Sequence, residues 1–225
     1  MKIKIIALSA FLFSCLAAQS QILKGGVNFA NITITNDGDI DDANSLTSFQ
    51  LGITGDVKIL PMLFFQPGIL FTGKGSKTQS GDPSSLNYSK ATSNPMYIEI
   101  PANLVFKTPT GPIKFFAGGG PYLAVGVAGK LKNEGKIAGL AYANERNIEF
   151  SNDDPSTLNY EEGAGYGILK RFDYGLNAIA GIQATKIVLS LNYGFGLAKL
   201  QSGSNSSADD KNKHRVLSFT VGIKL

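Results

Sequence analysis

The stretch His214-Arg215-Val216-Leu217-Ser218-Phe219-Thr220-Val221-Gly222-Ile223-Lys224-Leu225 decides the fold class. Leu217, Phe219, Val221, Ile223 and Leu225 are large and apolar, while Ser218, Thr220, Gly222 and Lys224 between them are small, polar or charged. Alternation with period two predicts a β-strand with one apolar and one polar face. The run stops on an apolar residue, so the end of the chain is expected to belong to the sheet. Soluble sheets mix such strands with nearly continuous apolar runs. Here the alternation recurs along most of the chain, each time with the small or polar set on the second face. A barrel with lipid outside and a packed polar lumen inside requires that pattern.

Working back from this strand, Ile187, Leu189, Leu191, Tyr193, Phe195 and Leu197 alternate with Val188, Ser190, Asn192, Gly194 and Gly196. Arg171 to Ala184 does the same, with Phe172, Tyr174, Leu176 and Ile182 outward and Asp173, Gly175, Asn177 and Gln183 inward. Ile113 to Gly129 forms a further strand. In the next, Met96, Ile98, Ile100, Leu104 and Phe106 oppose Tyr97, Glu99, Asn103 and Lys107. Met62 to Lys74, Ser48 to Ile59 and Leu23 to Ile34 complete about eight candidates, an even number as bacterial barrels have. Pro67 lies inside one of them, and a bulge is expected there.

The connections divide by length. Thr35–Thr47, Gly75–Pro95, Lys130–Lys170 and Gln201–Lys213 are long and polar, whereas Leu60-Pro61, Pro109–Pro112 and Thr185-Lys186 are short turns. Transmembrane barrels place long loops outside the cell and short turns in the periplasm. Both ends of the barrel are then expected on the periplasmic side. The Lys130–Lys170 composition favours a mobile or partly hairpin-extended loop over a plug.

Lys2 and Lys4 precede the apolar run Ile5–Leu12, and Ala18-Gln19-Ser20 forms a small-x-small cleavage site. Residues 1–20 are therefore expected to be a secretory signal peptide and residues 21–225 the barrel domain. Leu12-Phe13-Ser14-Cys15 imitates a lipoprotein box, but Phe13 is bulky for that role; Cys15 is the only cysteine. Removing Lys2 and Lys4 from the formal charge of +4 leaves +2. No basic run suggests nucleic acid.

Four segments resemble a known family in their order along the chain. Tyr97-Ile98-Glu99-Ile100-Pro101, Phe116-Ala117-Gly118-Gly119-Gly120-Pro121-Tyr122, Arg171-Phe172-Asp173-Tyr174-Gly175-Leu176 and Leu191-Asn192-Tyr193-Gly194-Phe195-Gly196-Leu197 are similar to signature strands of the PorT-type outer-membrane β-barrel family. The resemblance implies an integral outer-membrane barrel of Gram-negative bacteria. The family's namesake contributes to protein secretion, and the family supplies no catalytic motif.

Several constellations invite sharper chemistry. Gly118-Gly119-Gly120 lacks the Lys-Ser/Thr of a phosphate loop. Gly163 to Gly167 misses the dinucleotide spacing. Asp37, Asp39 and Asp41 imitate a calcium loop, but Asp42 stands where its glycine belongs and Ser48 where its glutamate belongs. His214, the only histidine, is expected at the outer rim beside Lys213 and Arg215, a poor place for a general base. No catalytic residue, cofactor or metal ligand is assigned. The inward charges Asp56, Lys58, Glu99, Lys114, Asp173 and Lys224 are expected to form a structural polar network, because unpaired buried charges are costly.

An eight-stranded barrel has an interior just wide enough for side chains to fill. The expected function is therefore a structural or interaction platform acting through its loops, with an accessory role in protein secretion as one form of it. A small-ligand or narrow transport barrel is the alternative, with a soluble lipocalin-like carrier less favoured. The expected partners are outer-membrane lipid, the barrel assembly machinery, and envelope or secretion proteins that meet the loops; nucleic acid is not expected.

Overall fold

The computed structural model describes residues 20–32, 42–109, 111–151, 168–200 and 213–225. Apart from Ser20, the expected signal peptide lies outside the described residues, as do Asp37, Asp39, Asp41 and Gly163 to Gly167.

Among the described residues eight strands close into one ring. They are β1 (Gln21–Ile32), β2 (Leu46–Gly55), β3 (Leu63–Gly73), β4 (Tyr88–Lys107), β5 (Ile113–Ile137), β6 (Phe172–Ala184), β7 (Ile187–Gly196) and β8 (His214–Lys224). Each pairs antiparallel with the strands before and after it in the chain, so the topology is up-and-down. The ring closes where β1 meets β8, from Ile22 opposite Lys224 to Ile32 opposite His214. Leu225 N donates to Gln21 O at 2.8 Å, which puts both ends of the barrel on one side.

The alternation read from the sequence is the alternation of exposure. Phe219, Val221 and Ile223 expose 55%, 56% and 54% of their surface, while Ser218, Thr220 and Gly222 between them are buried. The same outward set continues around the ring through Leu23, Val27, Leu51, Ile98, Leu104, Phe115, Leu123, Leu176 and Leu189. So large a continuous apolar surface is stable only against hydrocarbon. On β4 the outward apolar set runs from Met96, whose side chain is covered, through Ile98, Ile100 and Leu104 to Phe106. Ten residue steps of about 3.3 Å, tilted by about 40°, span roughly 25 Å, the height of an outer-membrane apolar band.

Two local expectations change. No bulge forms at Pro67, since β3 keeps one register with β4 from Leu63 opposite Phe106 to Gly73 opposite Met96. Proline only lacks a donor. The β2 side gives way instead: its ladder with β3 breaks at Gly55 and Asp56 and resumes at Val57 opposite Phe65. Asp56 N donates to Ser20 O at 3.1 Å. The bulge lies elsewhere, where Met96 faces Ala128 and Tyr97 faces Gly126, leaving Val127 as the extra residue on β5.

The other change concerns loops. Above that bulge, β4 and β5 continue beyond the apolar band, paired from Tyr88 opposite Lys136 down to Met96 opposite Ala128. Ser76–Ser80 pairs with β4 on one side, and Leu140–Asn147 pairs with β5 on the other. Asp42–Asn44 adds to Ser76–Ser80. Much of the polar sequence expected as loop is thus an open sheet rising from the barrel wall.

Candidate functional site

The lumen is filled in layers. At the end with the short turns, Ile22, Val105, Phe116, Ile179 and Val188 form a buried apolar layer. Beside it Lys107 pairs with Asp56 and donates to Gln183 Oε1 at 3.2 Å, and Gln66 Nε2 donates to Asp56 Oδ1 at 2.9 Å. Higher up, Lys74 bridges two carboxylates, with Nζ 2.7 Å from Glu99 Oε2 and 2.9 Å from Asp173 Oδ2. Asn177 Nδ2 donates to Glu99 Oε1 at 2.9 Å, and Tyr122 Oη donates to Asp173 Oδ2 at 3.1 Å. The Lys74 ammonium also lies 3.8 Å from the centre of the Tyr122 ring. Tyr122 fits because the neighbouring strand carries Gly175, where a Cβ would stand 2.8 Å from the tyrosine ring.

The next layer belongs to Tyr97 and His214. Their side chains meet at 3.3 Å between Tyr97 Oη and His214 Nε2, with the rings edge to face. Phe150 packs edge-on to Tyr97 from above, its centre 5.7 Å away. Its seat is Gly126, where a Cβ would fall 2.2 Å from the Phe150 ring. A second apolar cluster of Leu131, Ile148, Leu169 and Leu200, with Ile32 and Phe150 against it, covers the top. Between the layers lies a small, partly enclosed space of about 40 Å³, lined among others by Lys24, Gln50, Thr54, Asn103 and Ser218. It has room for a few waters and no more.

The inward charges named from the sequence separate into two groups. Asp56, Glu99 and Asp173 are buried in the lumen. Lys58 is exposed, and Lys114 and Lys224 are half-buried at the same end. All three lie within a few residues of a turn or of the chain's end, where a long stem carries its ammonium toward water. The cations that meet the buried carboxylates are Lys74 and Lys107 instead. Lys24 is also buried. The alternation of β1 and β3 points Lys24 and Lys74 inward, so the sequence held the signal. His214 departs from expectation more sharply: it is 2% exposed, inside the wall rather than on the rim. The expected loop Lys130–Lys170 likewise has a hairpin at Leu140–Asn147 and a cap at Ile148 and Phe150, so part of it fills the mouth.

Outside the membrane the sheet carries its own charges. Glu134 accepts from Lys90 at 2.7 Å and lies 2.6 Å from Lys132, and the two ammoniums hold its carboxyl down to about 2. Lys130 lies 2.6 Å from Glu145 and lowers that carboxyl too. Leu140–Asn147 ends the sheet among the described residues, and its side chains are almost all exposed. No group of histidine, cysteine, aspartate and glutamate among the described residues has metal-site geometry.

Residues 18–202 match the family described as outer membrane protein beta-barrel domain. Solved structures similar to the chain include Ail, the attachment invasion locus protein of Yersinia pestis, at 13% identity and a TM-score of 0.41, covering 92% of this chain and 99% of that one. Neisserial surface protein A is also 13% identical, with a TM-score of 0.39 over 91% of this chain and 96% of that one. OprG from Pseudomonas aeruginosa is 13% identical, with a TM-score of 0.38 over 92% and 94%. No curated protein matches the chain.

Proposed function

The chain belongs to the outer membrane protein β-barrel domain family and resides in the outer membrane, and on that footing we propose that it acts as a closed interaction platform. The observation that carries this is the contrast between a lumen packed in layers, with a space of only about 40 Å³ beside Lys74, and a wall that continues outward as an ordered sheet. Among the described residues the packed lumen leaves little room for a diffusion pathway, while Leu140–Asn147 ends the sheet and offers its outer edge to an incoming strand. The partner is an envelope protein, and the PorT-type resemblance favours a component of a secretion machine. The buried ion pairs of the lumen hold the barrel's shape and perform no chemistry.

Site-specific photocrosslinking in intact cells tests this. A crosslinker replacing Tyr142 on the edge strand is expected to give a discrete protein adduct, and one replacing Leu176 in the apolar band is expected to give none. Absence of any protein adduct from Tyr142 and its neighbours on that strand would end the platform reading.

A further inference from the structure

On the outer wall, a groove of about 600 Å³ straddles the upper edge of the apolar band. Phe49, Phe71, Met96 and Val127 line its lower part, and Asn94 and Lys130 line its upper part. The bulge creates this junction. Val125 faces lipid below it; Val127 and Ala128 are both exposed at it; and Lys130, Lys132, Glu134 and Lys136 continue the outward face above it.

Register places further cations on that face. Lys77 lies opposite Thr92, which lies opposite Lys132; Lys90 lies opposite Glu134, and Asn94 opposite Lys130. Paired residues of an antiparallel sheet share a face. Lys77, Lys90, Lys130, Lys132 and Lys136 therefore stand directly over the lipid-facing wall. Among the described side chains of these strands, Glu145 lies against Lys130 and Glu134 against Lys90 and Lys132, so two carboxylates share that face with five ammoniums. The surplus is positive, and its lowest members, Lys130 and Lys132, sit just above the apolar band where outer-leaflet headgroups begin.

We infer that this groove is a binding site for a phosphorylated lipid of the outer leaflet. An acyl chain lies along Phe49, Phe71 and Val127, and the phosphate meets Lys130, with Lys132 behind it. Acyl chain and phosphate are both needed: the apolar floor offers nothing to a free anion, and the lysines favour an anionic headgroup over a neutral one. The groove borders the edge strand proposed to bind protein, and Asn147 at the end of that strand lines it.

The test uses the full barrel, delipidated and reconstituted into nanodiscs of zwitterionic lipid, with phosphorylated lipid A as probe and native mass spectrometry as readout. The wild-type barrel is expected to retain one phosphorylated lipid A and to prefer it roughly tenfold over the same lipid without phosphate. The double variant K130Q/K132Q should lose that preference, while A128W, which fills the groove floor, should lose retention of both lipids. Inorganic phosphate in millimolar excess should not displace the probe. Equal retention of the two lipids by the wild type would overturn the inference, as would an unchanged preference in folded K130Q/K132Q. Displacement by inorganic phosphate would show an anion site that needs no lipid. Heat-modifiable migration confirms folding of each variant; should a variant not fold, the comparison of the two lipids on the unaltered barrel decides alone.

Discussion

The lumen and the extracellular sheet use the same ion pair at the same distance, with different consequences. Lys74 lies 2.7 Å from Glu99 with side chains 3% and 7% exposed, and Lys130 lies 2.6 Å from Glu145 with side chains 69% and 49% exposed. In the lumen, water cannot solvate an abandoned partner, so breaking the pair strands a buried charge. In the sheet, water replaces the partner at once, and the pair contributes little. Geometry alone does not rank these contacts; burial does. The barrel is accordingly held firmly at its centre and open to revision above the membrane.

The largest test of that contrast removes Lys74. Lys74→Met leaves Glu99 and Asp173 facing each other without their cation and is expected to cost about 3–5 kcal/mol in lipid-based unfolding. Lys130→Gln is expected to change the same measurement by less than about 0.5 kcal/mol. Similar values for the two would dissolve the distinction.

The wall itself is probed next. Leu191 faces lipid near mid-strand and Asn192 faces the lumen. Leu191→Arg should cost roughly 2–4 kcal/mol, whereas Asn192→Ser should be mild. Equal penalties would invert the assignment of faces. A smaller effect is expected at the mouth: Phe150 is half-buried against Tyr97 and Tyr122. Phe150→Ala should cost roughly 1–2 kcal/mol and raise amide exchange in Ile148 to Ser151. Unchanged exchange there would show that Phe150 does not hold the cap.

The mildest test uses acid. Lys132 and Lys90 lower the Glu134 carboxyl from its ordinary 4.5 to about 2. A depressed carboxyl contributes stability that is complete above the unfolded value and lost as pH falls through the folded one. Amide protection around Lys90 and Glu134 should therefore persist at pH 5 and weaken between about pH 4.5 and about 2. Protection that is flat across that window would show that the charges do not hold the sheet together.

The barrel was legible because each of its strands separates two solvents. Lipid on one side and packed polar groups on the other impose a period of two on Phe219, Val221 and Ile223 as firmly as on Ile98, Ile100 and Leu104. The extracellular sheet has water available to both faces and imposes no such period. Ser76-Lys77-Thr78-Gln79-Ser80 and Tyr88-Ser89-Lys90-Ala91-Thr92 carry no apolar alternation, so they read as loop although they pair. The buried carboxylates Asp56, Glu99 and Asp173 could be picked out by parity. Their partners were harder: Lys74 and Lys107 sit near strand ends, where Lys58, Lys114 and Lys224 sit too, and only the depth of each end in the lumen separates them. Lys213 and Arg215 beside His214 point to a wet rim, whereas its side chain lies buried in the lumen. Its partner Tyr97 is 117 residues away in sequence, and no local pattern links the two.

The central claim is that the barrel is closed and that its work is done outside the membrane. Planar-bilayer recordings of the folded wild-type protein test it most directly. The layers at Ile22, Lys107, Lys74, Tyr97 and Leu131 pack the described lumen, and the space beside Lys74 holds only about 40 Å³, so the recordings should show no stable single-channel steps. Steady, reproducible steps of porin size would contradict the closed lumen and return transport as the function of this barrel.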